Sequence, residues 1–170
     1  LSGLVGSEMC IRDSNSLIAL GLGMVGILLF VTVRFEFSFA LGALVALLHD
    51  VTITVGVFAL LGREFSLVTV GAVLTIAGYS VNDTIVVFDR IREGLQTGRK
   101  GSVLEIMNLS INETLSRTII TGGVTLLSTI SLLFFGGPVL ADFALAILIG
   151  VLVGTYSSVF VAAPIVLWWS

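Results

Sequence analysis

The residues Gly78-Tyr-Ser-Val-Asn-Asp-Thr-Ile-Val-Val-Phe-Asp-Arg-Ile-Arg92 begin inside a run of apolar residues and end in charged ones. Within the apolar part, Asn82 and Asp83 stand side by side. A carboxylate at membrane depth is costly, so such a residue faces protein or water rather than lipid, and it is a functional candidate by default. This stretch therefore predicts a membrane helix that carries a functional acid, Asp83.

The composition is typical of a membrane protein that crosses the bilayer several times. Of the 170 residues, 56% are apolar and only 11% are charged, and the mean hydropathy is +1.15. A soluble domain carries about a quarter charged residues. The single cysteine, Cys10, excludes an internal disulfide bond and gives no redox signal.

Five segments are long and apolar enough to span a membrane, which takes about 20 residues. They are Ser16–Val33, Phe39–Leu61, Leu67–Phe88, Thr118–Phe135 and Phe143–Trp169. The alternation of a membrane β-barrel is absent from the sequence. We therefore predict an all-α membrane protein, a polytopic bundle of five transmembrane helices.

The distribution of basic residues predicts the orientation of these helices. The first and third connections, which lie on one side, carry Arg34, Arg90, Arg92, Arg99, Lys100 and Arg117. The opposite side keeps only Arg63 and, near the start, Arg12. The positive-inside rule then places the N-terminus outside and the C-terminus in the cytoplasm. Because this arrangement is awkward for a complete bacterial protein, we expect a further span upstream.

Residues 1–14 fit this organisation poorly. The segment Gly6–Ser14 has neither the hydrophobicity of a span nor clear amphipathic periodicity. We interpret it as a sequencing or assembly artefact joined to a genuine transmembrane domain at 15–170. The alternative is an ordinary exposed entry segment.

The long connection at about residues 89–117 is predicted to be cytoplasmic and ordered. Ser102-Val-Leu-Glu105 has the form of a capping box, which satisfies free N–H groups at a helix start. The pattern that follows is weakly amphipathic, so we expect a helix that lies along the bundle. Gly94, Gly98 and Gly101 predict a flexible turn before it.

Helical spacing collects polar residues on one face of the third span. At 100° per residue, an arc of about 100° contains Thr75, Tyr79, Asn82, Asp83 and Arg90. At a rise of 1.5 Å per residue, Asp83 lies about 24 Å beyond Leu67, in the cytoplasmic half of the membrane.

The fourth span shows a similar polar face. It consists of Arg117, Thr121, Thr125, Ser128 and Ser131. A buried guanidinium stays protonated and needs an acceptor, so we expect Asp83 and Arg117 to face each other across the two helices. A carboxylate that changes protonation when such a contact opens could couple proton flow to motion. The alternative is a fixed ion pair that only sets the helix register.

His49 and Asp50, near the middle of the second span, are secondary candidates together with Tyr79 and Thr121. Histidine titrates near neutrality and serves in proton relays, but a satisfied interhelical hydrogen bond is the equal alternative. The sequence shows no metal-ligand constellation, phosphate-binding glycine loop or nucleophile–base set. We therefore expect no enzyme activity and no cofactor, only an ion gradient of protons or sodium.

The segment Gly78–Glu93 resembles the signature of the SecF family, the smaller half of the bacterial SecD–SecF protein-export pair. Four further blocks resemble that family in the expected order: Arg34-Phe-Glu-Phe37, Leu47-Leu-His-Asp50, Asn112-Glu-Thr-Leu-Ser-Arg-Thr118 and Phe135-Gly-Gly137. The resemblance covers about Asn15–Trp169. It does not extend to Gly6–Ser14.

The resemblance implies the second to sixth of six membrane helices in a bundle of the resistance-nodulation-division type. It further implies a subunit of the bacterial inner membrane that works with SecD. Family members use the proton-motive force to promote preprotein translocation through SecYEG after SecA has acted. The family residues that match Asp83 and Arg117 belong to its proton pathway. The implied partners are SecD, SecYEG, the preprotein and membrane lipid, with no nucleic acid.

Two other functions stay open at this point. One is a self-contained, proton-coupled transporter of a small solute, which would need a substrate cavity within the five helices. The other is a purely structural subunit that holds its partners together without moving protons.

Overall fold

The computed structural model describes residues 2–34, 37–63, 66–98 and 101–169, with side chains described at 14–15, 18–33, 39–63, 66–98 and 101–168. These residues form six α-helices and one π-helical turn. They are α1 (Ser2–Arg34), α2 (Phe37–Leu60), α3 (Leu67–Gln96), α4 (Val103–Phe135), α5 (Gly137–Ser157), the π-helical turn Ser158–Ala162, and α6 (Ala163–Trp169). No strand occurs in the described ranges.

Four stretches are long and apolar enough to cross a membrane: Phe39–Leu60, Leu67–Gln96, Val103–Phe135 and Gly137–Trp168. The last of these combines α5, the π-helical turn and α6 in one rod. Helix α1 contributes a shorter apolar segment, Ile18–Val33, where the first span was predicted. The predicted all-α, polytopic bundle is therefore confirmed.

Helix α1 begins well before the predicted span. Its backbone is helical from Ser2 onward and runs through the segment interpreted as an artefact. The side chains of residues 2–13 lie outside the described set. The artefact interpretation of residues 1–14 stays a prediction.

The connection between α3 and α4 is much shorter than predicted. Helix α3 continues to Gln96 and α4 starts at Val103, so no separate helix lies along the bundle. The helix predicted after Ser102 is present, but it is continuous with the fourth span, and α4 contains no proline that would interrupt it. The capping box itself is confirmed: Glu105 N donates to Ser102 Oγ over 3.3 Å, and Ser102 N donates to Glu105 Oε2 over 2.9 Å.

The turn between α4 and α5 also differs from the prediction. Helix α5 begins at Gly137, six residues earlier than expected, so the predicted connection Gly136–Asp142 is mostly helical. Pro138 lies in the first turn of α5, where the missing N–H is not needed. Gly137 has φ of +75°, a conformation that favours glycine and allows the chain to reverse at a single residue.

Helix α3 is the centre of the bundle and packs against α1, α2, α4 and α5. Its approach to α5 is especially close at Gly150. A Cβ atom there would lie only 2.4 Å from the side chain of Ile76, so the contact requires glycine. Small residues allow membrane helices to approach in this way, and here they bring the polar groups of α3 against α5.

Candidate functional site: buried carboxylates on α2 and α3

Asp83 lies inside the bundle, where its side chain is 7% exposed. Thr118 of α4 donates a hydrogen bond to Oδ1 over 2.7 Å, and Ser158 of the π-helical turn donates to Oδ2 over 2.6 Å. Each carboxylate oxygen therefore has a hydroxyl donor, and each donor comes from a different element. Buried polar groups need such partners. Asp83 thus joins three helical elements at one point.

Ser158 is the first residue of the π-helical turn, and its N–H still bonds the backbone oxygen of Gly154, one α-helical turn earlier. The Ser158 hydroxyl lies within hydrogen-bond distance of both Asp83 Oδ2 and, at 3.1 Å, the backbone oxygen of Thr155. Such turns occur frequently at functional sites.

The expected contact between Asp83 and Arg117 is not formed, and that geometric prediction was wrong. The Arg117 side chain is exposed, and among the described side chains it makes no ion pair with Asp83. Its neighbour Thr118 occupies the position facing α3 instead. Successive residues of a helix are rotated by about 100°, so a shift of one residue exchanges an inward position for an outward one.

The hydroxyl face predicted for α4 is likewise on the outside. Thr121 is exposed and donates to the backbone oxygen of Arg117 over 2.9 Å. The buried hydroxyls of α4 lie on a different face of the helix, which includes the residue after Arg117. They are Ser110, Thr114, Thr118 and Thr129.

The residues of the polar stripe predicted on α3 differ in their burial and in the helices they face. Asn82 is exposed and lines a cavity of about 480 Å³ between α1 and α3, together with Gly26 and Gly78. The hydroxyl of Tyr79 is buried on the other side, without a hydrogen-bond partner among the described groups. It faces Gly122 of α4, where an added Cβ would lie 3.3 Å from it. Of the stripe's central residues, Asp83 alone is buried.

Asp50 of α2 is a second carboxylate, and it is fully buried. Ser80 of α3 donates a hydrogen bond to its Oδ2. The Nδ1 atom of His49 lies 3.0 Å from its Oδ1, and the His49 side chain is 31% exposed. The hydroxyl of Thr54 donates to the backbone oxygen of Asp50 over 2.7 Å. The pair predicted from the sequence thus connects the surface of α2 with its buried face.

The two carboxylates lie on the same side of α3 and against the same rod. Ser80 and Asp83 are one turn apart on α3, as are Gly154 and Ser158 on α5 and the π-helical turn. A Cβ on Gly154 would lie 3.4 Å from Ser80 Oγ and 3.7 Å from Asp50 Oδ2. Asp50 with Ser80, and Asp83 with Thr118 and Ser158, thus form two hydrogen-bonded groups one turn apart along α3.

A separate group of charges lies where α3 and α4 run beyond the predicted membrane spans. Arg90 Nε donates to Glu113 Oε2 over 2.6 Å, and Arg90 also pairs with Glu93. These side chains are between about one third and three fifths exposed, as expected for charges near a membrane surface. The described residues contain no group of three or more His, Cys, Asp or Glu side chains that could hold a metal ion.

A family model described as "Protein export membrane protein SecD/SecF, C-terminal" matches residues 2–170. The chain belongs to the SecD/SecF family. Its recognition from the five sequence blocks is thereby confirmed. The match also includes residues 2–14, which the resemblance had left out.

Relatives within the SecD/SecF family are about half identical to the chain. The protein translocase subunit SecF of Thermodesulfovibrio yellowstonii is 54% identical over 155 residues, which cover 90% of this chain and 52% of the relative. The protein translocase subunit SecDF of Thermus thermophilus is 50% identical over 165 residues, or 97% of this chain and 22% of the relative. The chain therefore spans about half the length of SecF relatives.

Two crystal structures from the SecD/SecF family have the same fold. One is described as SecDF, a translocon-associated membrane protein from Thermus thermophilus; it has a TM-score of 0.87 and 50% identity, over 91% of this chain and 22% of that chain. The other, SecDF in a super-membrane-facing form, has a TM-score of 0.81 and 52% identity, over 90% and 20% of the two chains. This similarity confirms the helical membrane fold.

Proposed function

We propose that the chain is the membrane-embedded part of a subunit of the Sec protein translocase accessory complex. In this proposal, the subunit works with SecD and uses the proton-motive force to promote preprotein movement through SecYEG after SecA has acted. Three findings support it: membership of the SecD/SecF family, relatives named protein translocase subunits, and a buried acid in an apolar helix. The role is mechanical rather than enzymatic.

The observation that carries the proposal is the placement of Asp83. An ionised carboxylate only accepts hydrogen bonds, and in this form Asp83 can accept from both Thr118 and Ser158. A protonated carboxyl group carries an O–H donor that needs an acceptor of its own, and a hydroxyl that turns to accept this proton stops donating to Asp83. Protonation thus changes the contacts that α3 makes with α4 and with the π-helical turn. If one arrangement of these helices binds the proton more tightly than the other, proton binding shifts the population toward that arrangement.

Arg117 takes part in this proposal from the outside of α4. Its neighbour Thr118 contacts Asp83, so the two residues lie at the same depth in the bundle. An exposed guanidinium at membrane depth needs an acceptor or water, because lipid supplies neither. We assign this acceptor to a carboxylate of the SecD-type partner, which would seat on the face of α4 that carries Arg117.

The location and orientation follow from the same proposal. The chain lies in the bacterial inner membrane with its C-terminus in the cytoplasm. The charges around Arg90 then lie toward the cytoplasmic surface, and Arg63 with Asp142, 3.0 Å apart, lies toward the opposite one. This placement agrees with the excess of arginine on the cytoplasmic side.

The deciding experiment replaces Asp83 by asparagine in the intact translocase within inverted membrane vesicles. Asp83→Asn keeps the size of the side chain but removes the site that takes up and releases a proton. We expect the acceleration of preprotein translocation by a proton gradient to be lost while the complex still assembles. A sodium gradient applied in a parallel sample identifies the coupling ion. Asp142→Asn, at the exposed pair with Arg63, is the matched control.

An unchanged acceleration in Asp83→Asn would refute the proton-coupled function. It would favour the alternative of a purely structural subunit, which one observation also supports. Both oxygens of Asp83 already have hydroxyl donors, so the acid could hold three elements together without titrating. In that case Arg117→Met would also be tolerated whenever the complex forms.

A further inference from the structure

Asp50 is a buried carboxylate that the proposed function of Asp83 does not use. Its side chain is fully enclosed in the middle of an apolar helix. An acid in such a place is expensive to keep for packing alone. Its position therefore calls for a role beyond that of filling space.

No arginine or lysine of the described residues forms an ion pair with Asp50. Among the described side chains, its contacts are the hydroxyl of Ser80 and the imidazole of His49. Helix α5 bears a single acid, Asp142, which pairs with Arg63 at the start of the helix. The titratable group in contact with Asp50 is His49 on its own helix, and Asp83 lies one turn beyond Ser80 on α3. A buried charge without a permanent counter-ion is costly, and binding a proton removes that cost.

Asp50 and Asp83 lie at different depths in the membrane. Ser80 precedes Asp83 by three residues, so it lies about 4.5 Å closer to the Leu67 end of α3. Asp50, which Ser80 contacts, therefore lies on that side of Asp83 as well. In the predicted orientation this is the external side. Gly154 of α5 lies against Ser80 and Asp50 without a side chain of its own, so α5 approaches this pair closely.

We propose that Asp50, with His49 as its exposed partner, is a second proton-carrying group in series with Asp83. This inference rests on the proposed function of Asp83. A proton on His49 passes from Nδ1 to Oδ1 of Asp50. Rotation of the Asp50 carboxyl group then brings this proton to the side of Ser80, whose hydroxyl accepts it and releases its own proton toward Asp83, one helical turn further along α3. At the end Asp50 is a carboxylate again, Asp83 is protonated, and the number of protons is unchanged.

The first test measures proton flux in inverted vesicles that contain the intact complex, using a pH-sensitive dye in the lumen. Asp50→Asn keeps an acceptor for Ser80 but carries no proton, so we expect the flux to fall by about tenfold or more. Asp50→Glu is expected to restore part of it, which a purely structural role would not predict. Asp142→Asn serves as the control. A flux in Asp50→Asn within about twofold of the wild type, an effect the size of a minor packing change, would overturn the inference.

Comparison with Asp83→Asn separates this inference from the proposed function. Loss of flux in Asp83→Asn together with normal flux in Asp50→Asn refutes the series arrangement alone. Normal flux in both refutes the proposed function as well. His49→Gln tests the exposed end of the path: we expect the flux to fall, because glutamine cannot pass a proton to Oδ1 of Asp50.

If Asp50→Asn does not assemble, the inference can be tested by a measurement on the unsubstituted complex. Infrared difference spectra recorded with and without a proton gradient report carboxyl groups that gain or lose a proton. We expect two such carboxyl bands, one of which shifts in Ser80→Ala because that variant removes the hydroxyl donor of Asp50. A single band that is insensitive to Ser80→Ala would overturn the inference.

Discussion

The hydroxyl of Thr118 donates a hydrogen bond of 2.7 Å to Oδ1 of Asp83, and this contact joins α4 to α3 inside the bundle. Thr118 is 1% exposed, so water cannot replace the bond. Hydrogen bonds to a charged group contribute about 1.5–3 kcal/mol. Because the donor is a short side chain, the contact also fixes the rotation of α4 about its own axis.

Replacing Thr118 by valine should therefore destabilise the bundle. The two side chains have nearly the same shape, but valine leaves Oδ1 of Asp83 without its donor, and we expect a loss of about 2 kcal/mol. Thr121→Val removes the same hydroxyl from an exposed position that only bonds its own helix, and should change stability by less than about 0.5 kcal/mol. Reversible unfolding in mixed detergent micelles measures both. Equal effects of the two variants would contradict the inward placement of Thr118.

The same contact shows how far the sequence could predict the site. Asp83 was predicted because a charge in an apolar helix stands out, but its partner was assigned to Arg117 for the same reason. A threonine in an apolar helix gives no comparable signal, since it often bonds its own backbone, as Thr121 does. Choosing between Arg117 and Thr118 requires the rotation of α4, which depends on packing against α3 and α5.

Ser158 was not predicted either. Like Thr118, it is a hydroxyl residue in an apolar helix, and such residues often bond their own backbone and give no signal in the sequence. The fold was easier to predict, because hydropathy identifies membrane helices directly. Hydropathy fails at the helix ends: α3 and α4 continue beyond the apolar segments through polar residues such as Arg90 and Glu113.

The contact of α3 with α5 predicts a size limit at Gly150. A Cβ atom there would lie 2.4 Å from Ile76, so Gly150→Ala should cost about 1–3 kcal/mol through overpacking. Adding Ile76→Ala should relieve this clash, so that the double variant is more stable than the sum of the single effects implies. Gly71→Ala, where a Cβ meets no atom within 4 Å, is the control. Strict additivity of Gly150→Ala and Ile76→Ala in detergent unfolding would disprove the close approach.

The charges at Arg90 predict a salt-dependent link between α3 and α4. Arg90 Nε bonds Glu113 Oε2 over 2.6 Å in a partly exposed position, so salt should screen the interaction. Glu113→Gln should lower the unfolding temperature in low salt and have little effect in high salt. In an Arg90→Gln background, Glu113→Gln should have little effect at any salt concentration, because the cation is already absent. A decrease that is the same at all salt concentrations would indicate packing rather than an ion pair.

The exposed position of Arg117 predicts that its effects appear only in the assembled complex. Arg117→Met should change the unfolding free energy of the isolated chain by less than about 0.5 kcal/mol, as expected for an exposed side chain without a partner in the described structure. In the complex, the same variant should reduce both association with the SecD-type partner and proton-driven translocation, because the proposed acceptor loses its cation. Arg63→Met, at the opposite end of the bundle, is the matched control. Destabilisation of the isolated chain by Arg117→Met, comparable to that by Thr118→Val, would place the guanidinium inside the bundle and restore the direct contact with Asp83.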